Sequence, residues 1–161
     1  MDDLRKAYRT TKLIGLSMLG SVLMYAALVE LIRARIILFD VPAPGPFIAT
    51  TKTILFVLSA AYFFLIPFIE GSIRSRVHSR SNAGGQSSGT ADIQALMTAA
   101  VVTFALCESV GVFGLVLFLL GGGSTDVYVF LLISLSFFSF FFPKYGAWEA
   151  WVRNKDIVEE D

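Results

Sequence analysis

Two carboxylates, Glu30 and Glu108, lie well inside long apolar runs of this sequence. A charged side chain at the centre of a bilayer costs at least a few kcal/mol, so ionisable residues are rare there and usually functional. A low-dielectric site also favours the neutral acid over the carboxylate. A carboxyl that can gain or lose a proton in such a site suits the binding and release of H+. Arg33 lies one helical turn beyond Glu30, close to the end of the run, and a local pairing is the simpler expectation for Glu30. Glu108 has no cation near it in sequence and falls near the middle of its run. Its surroundings include Ala105 on the turn before and Gly111 and Gly114 after it, small residues that let a neighbouring helix approach closely. Gly15, Gly20, Ser21, Ala26 and Ala27 form a comparable set around the first run.

The elements that must carry these residues follow from composition. Of the 161 residues, 55% are hydrophobic and only 16% are charged, and mean hydropathy is +0.70. Soluble domains of this size carry about 25% charge, so an ordinary soluble enzyme is excluded first. Thirteen Lys and Arg balance thirteen Asp and Glu, which leaves no basic field for nucleic acid. One Cys and one His rule out a disulfide framework and leave too few ligands for an ordinary zinc site. A bilayer core of about 30 Å needs roughly 20 apolar residues per helix. The chain supplies four such runs, 12–33, 46–69, 93–120 and 127–148, and reads as a single all-α membrane domain over 1–161.

Ten of the thirteen Lys and Arg residues fall in the N-terminal segment, the middle loop 71–92 and the C-terminal tail. The positive-inside rule then places those segments, and both termini, in the cytoplasm. Tyr145, Trp148 and Trp151 are expected to anchor the inner interface as amphipathic rings. The proline-rich stretch 41–46 reads as a stiff connection, and the Gly/Ser-rich stretch 79–89 as the most mobile part of the chain. Gly121, Gly122 and Gly123 make a tight turn that folds the third and fourth helices into an antiparallel hairpin. That glycine run lacks the lysine and the following soluble helix of a phosphate-binding loop.

Two echoes suggest an internal duplication. Ala27-Leu28-Val29-Glu30 matches Ala105-Leu106-Cys107-Glu108, and Phe63 to Pro67 loosely matches Ser139 to Pro143. Each half would be an antiparallel hairpin of one Glu-bearing helix and one aromatic helix, and the halves would be parallel repeats. His78 reads as a solvated loop residue and Cys107 as a small packing residue. Arg74, Arg76 and Arg80 read as topology signals, with contact to anionic lipid a second role. The Phe137–Phe142 cluster reads as a lipid-facing or intersubunit surface.

The stretch Ala105-Leu106-Cys107-Glu108-Ser109-Val110-Gly111-Val112-Phe113-Gly114-Leu115-Val116 and the apolar run to Leu120 resemble the carboxylate-bearing helix of the rotary ATP synthase c subunit (proteolipid) family. By that resemblance Glu108 would bind and release the ion, and Ser109 would stand where sodium-binding members place a hydroxyl. No Gln occupies the second run to complete a sodium site, so H+ is the ion implied. The family's glycine-rich partner helix has no counterpart here: 48–69 contains no glycine.

The expected activity is therefore that of a proteolipid-like subunit of an oligomeric or energy-transducing complex, with Glu108, Ser109 and Glu30 as candidate ion-binding residues. A non-catalytic accessory subunit with structural Glu residues is the alternative, and a small proton-coupled transporter working through Glu30 is a third. No nucleophile–base pair, metal set or nucleotide motif is present, and no cofactor is expected. The expected partners are membrane lipids, further copies of the chain and other membrane subunits. The expected location is a bacterial inner membrane or an equivalent energy-transducing membrane.

Overall fold

The structure, a computed structural model, describes residues 2–34, 43, 45–82 and 89–150. Among the described residues the long helices are α1 (Asp2–Arg33), α2 (Ile48–Asn82), α3 (Gly89–Leu119) and α4 (Ser124–Phe141). Each contains a stretch long and apolar enough to cross a membrane, the four stretches being Asp2–Arg33, Ile48–Ile69, Ile93–Leu119 and Ser124–Phe141. The protein is an all-α integral membrane protein. Its outer surface carries Leu13, Leu23, Met24, Ile54, Val57, Phe64, Phe68, Leu132 and Phe140 exposed, as a hydrocarbon solvent permits and water would not.

Helix α3 is the hub. Substantial packing joins it to α4, α1 and α2, and α1 also rests on α4, whereas α1 and α2 touch each other little. The burial pattern of α1 explains how a long straight helix can lie on its neighbours. Leu4, Tyr8, Thr11, Gly15, Met18, Val22, Tyr25, Val29 and Ile32 are buried or half-buried, spaced alternately four and three apart. That is the 3.5-residue period of a coiled-coil seam. In α2, Ile48, Leu55, Ser59, Tyr62 and Ile66 follow the same spacing. Helix α2 approaches α4 mainly through rings, with Phe56 against Phe130 at 4.5 Å and Phe63 against Phe137 at 5.7 Å.

The α3–α4 turn is built as the glycine run requires. The Gly122 N–H donates to the Leu117 carbonyl at 2.9 Å and the Gly121 N–H to the Phe118 carbonyl at 3.0 Å. This is the Schellman arrangement, with Gly121 in the left-handed position at φ 97°. Helix α4 can then lie close against α3: a Cβ on Gly114 would come within 2.8 Å of Phe130 Cβ and 3.2 Å of the Val127 carbonyl oxygen.

Boundaries differ from the sequence expectation at both ends of the chain. Helix α1 begins at Asp2 rather than near Lys12, and its first turn carries Asp2 and Asp3, which suit the positive end of the helix dipole. Helix α4 ends at Phe141 and does not run on to Trp148. Phe142 is extended (φ −64°, ψ 124°) because the following Pro143 disfavours helical geometry in the residue before it. Helical structure resumes over 145–150. Helix α2 continues past the expected end of its span to Asn82, so part of the stretch expected to be mobile is helical, while 83–88 lie outside the described residues. The two halves are not packed alike: Pro67 lies within α2 whereas Pro143 follows the end of α4.

The close contact at Gly114 yields a stability prediction. Gly114→Ala forces α4 off α3 and should cost about 1–3 kcal/mol, the usual range for overpacking. Gly20→Ala, where nothing lies within 4 Å of the added Cβ, should stay within about 0.5 kcal/mol. Unfolding of the two variants in detergent micelles or bicelles compares them directly.

Candidate functional site

Helix α3 carries Glu108 near the middle of its apolar stretch, half-buried on the side facing α1. The register of the α1 seam brings Tyr25 to the same level, and its hydroxyl donates to Glu108 Oε1 at 2.8 Å. Burial around the pair is supplied by Val22 and Val29 from α1 and by Phe104, Cys107 and Val110 from α3. Among the described residues the ion pairs are Arg33–Glu30 and Lys52–Asp126, so no cation neutralises Glu108. Its partner is a neutral hydroxyl. That difference matters chemically, because a phenol can donate to a carboxylate and can also accept from a protonated carboxyl. Both protonation states of Glu108 therefore keep a hydrogen bond.

Glu30 stands in a different environment. Its side chain is 54% exposed, Arg33 donates to Oε1 at 2.7 Å one turn along α1, and the Tyr128 hydroxyl of α4 donates to the same oxygen. Nearby in the fold, at the bundle end formed by the starts of α2 and α4, Lys52 pairs with Asp126. These charged groups collect where the helices leave the apolar zone, and their contacts tie α1 to α4 and α2 to α4. The local pairing expected for Glu30 is present, with Tyr128 as a further partner.

Ser109 does not reach Glu108 by a hydrogen bond. Its hydroxyl donates to the Leu106 carbonyl of its own helix at 2.8 Å, the usual way a hydroxyl is satisfied inside a membrane helix. Of the small residues near Glu108, Gly111 and Gly114 are buried against α4, while Ala105 lies on the exposed face of α3. Cys107 is fully buried, and its carbonyl accepts a 2.7 Å hydrogen bond from Ser134 of α4.

The opposite end of the bundle, where α1 begins and α4 ends, is aromatic. Tyr8 packs edge-on against Tyr145 and Trp148 with centroids 5.2 and 5.7 Å apart, and its hydroxyl donates to the Pro143 carbonyl. Trp148 is only 3% exposed, so it is a packing residue within the protein. Phe137 and Phe138 are likewise buried, Phe138 stacking on Phe104, whereas Phe140 is exposed. The side chains of Arg74, Arg76, His78 and Arg80, and the whole of Trp151, lie outside the described residues.

Two residues of this constellation had no part in the sequence reading: Tyr25 and Tyr128. A tyrosine in an apolar helix signals nothing by itself, and only the helix register shows which carboxyl it meets. Tyr25 shares the buried seam of Val22 and Val29, a register that burial shows and that the uniformly apolar sequence around it does not mark.

A double-mutant cycle measures the contact. Tyr25→Phe and Glu108→Gln should be non-additive, with a coupling energy of about 0.6 kcal/mol and no more than about 1.7, the range for interhelical hydrogen bonds in membranes. Purely additive effects on unfolding would show that the hydroxyl and the carboxyl do not interact. Comparison of the chain with models of known protein families, with curated protein sequences and with solved structures finds no match.

Proposed function

We propose that this chain is a proteolipid-like membrane subunit whose Glu108 carboxyl takes up and releases H+ as part of an oligomeric or energy-transducing assembly. The observation that carries this reading is the environment of Glu108: mid-span, half-buried, without a cation among the described residues, and bonded to the Tyr25 hydroxyl. A carboxyl locked by Arg or Lys would hold its charge and be of little use as a reversible site. One held by a phenol can change protonation state and keep its partner. In this reading both termini are cytoplasmic, and the face of α3 bearing Ala105 is where a second copy or another subunit seats. The ion pair of Glu30 with Arg33 supports a structural role for that residue, against a transporter working through it.

The accessory-subunit alternative is favoured by one specific feature, since the Tyr25–Glu108 bond also joins α1 to α3 and would serve as a cross-link without any proton moving. Carbodiimide labelling separates the two readings, because the reagent attacks protonated carboxyls in apolar surroundings. Membranes labelled between about pH 5 and 9 and mapped by mass spectrometry should show modification at Glu108. Glu30, held by Arg33, should remain unmodified. Glu108→Gln should abolish both labelling and function while preserving assembly. Absence of label on Glu108 throughout that range, with a functional Glu108→Gln variant, would leave the structural cross-link as the role of this residue.

A further inference from the structure

Beyond the carboxyl site, the bundle end at which α1 begins and α4 ends contains a cavity of about 210 Å³. Its origin is local. Pro143 stops α4 at Phe141, so the chain leaves the surface of α3 instead of following it. Ala99 and Ala100 on α3 are too small to fill the space. Leu96, Ala99, Ala100 and Phe141 form an apolar wall, and Lys144 and Trp148 supply the rest of the lining that bears on recognition. Trp148 is 97% buried by its 3% exposure, held edge-on by Tyr8, yet its indole N–H meets no acceptor among the described residues. A buried indole normally finds one. Lys144 is exposed and has no carboxylate partner among the described residues. The side-chain polar groups of the cavity are thus donors, one of them cationic, and the opposite wall is hydrocarbon.

We propose that this cavity binds an anionic phospholipid from the bilayer, its phosphate accepting from Lys144 and the Trp148 indole and an acyl chain lying along Leu96, Ala100 and Phe141. Position and charge agree with that occupant. The cavity lies beside the ends of the α3 and α4 apolar stretches, where headgroups would meet acyl chains in a bilayer that those stretches cross. Arg5, Lys6, Arg9 and Lys12 project from the exposed faces of α1 at the same end and raise the local concentration of anionic lipid. The proposal is independent of whether Glu108 carries a proton.

The test uses the fluorescence of Trp148 in the full chain with Trp151→Phe, which leaves a single tryptophan. A ring this buried is shielded from bulk lipid, so quenching by a brominated acyl chain reports a lipid seated in the cavity. Brominated phosphatidylglycerol in phosphatidylcholine vesicles should reach half-quenching at about one-fifth the mole fraction needed by brominated phosphatidylcholine, the preference expected from one nearby lysine. Lys144→Gln, a change at an exposed position, should remove most of that preference while retaining quenching. Equal half-quenching by the two lipids in the Lys144 protein would overturn the proposal. Absence of quenching by either brominated lipid, with Trp148 emission shifting on millimolar inorganic phosphate in unbrominated vesicles, would also overturn it, assigning the donors to a free anion instead of a lipid.

Discussion

The close contact between α3 and α4 is the constraint on which the rest of this protein depends. In a bilayer, burying apolar surface between helices gains little, because lipid tails are as apolar as leucine, and association relies on packing and hydrogen bonds. Gly114 removes the side chain that would hold α4 away, Ser134 bonds the Cys107 carbonyl across the gap, and the Gly121–Gly122 turn returns the chain immediately. With that pair in place, α3 presents its remaining sides to α1 and α2. The level of Tyr25 against Glu108 follows from how α1 seats on this hairpin.

The two carboxylates illustrate how position along a helix decides chemistry. Glu30 lies near the end of α1, where Arg33 follows one turn later and Tyr128 reaches across from α4, and it becomes part of a polar belt with Lys52 and Asp126. Glu108 lies deep in α3, where its partner is a phenol. The same residue type is thus clamped by charge at one end of the bundle and left with a neutral donor in the middle. The weak sequence echo between the halves does not extend to their packing, since α1 and α2 are both laid on α3 and not on each other.

The far end shows a different economy of parts. Pro143 ends α4, and the residues beyond it fold back so that Trp148 and Tyr145 pack on Tyr8 of α1. Chain direction changes there without a long loop, and the early exit of α4 opens the space beside Ala99 and Ala100. A single backbone restriction at the residue before a proline therefore sets both the helix end and the cavity.

Hydropathy and length alone determined the membrane class, the number of helices and the position of the α3–α4 turn, because a 20-residue apolar run and a glycine triplet have few other uses in so apolar a chain. The local pairing of Glu30 with Arg33 was also readable, since helical spacing depends only on neighbours in sequence. Tertiary structure decided what sequence spacing cannot encode: that Tyr25 meets Glu108, that Tyr128 reaches Glu30, that Ser109 turns to its own backbone, and that Ala105 faces outward. In an aqueous protein a hydrophobic face announces which side of a helix is buried. Here both the lipid-facing and the protein-facing sides are apolar, so the periodicity that would orient each helix is nearly absent, and partners across helices emerge only from packing.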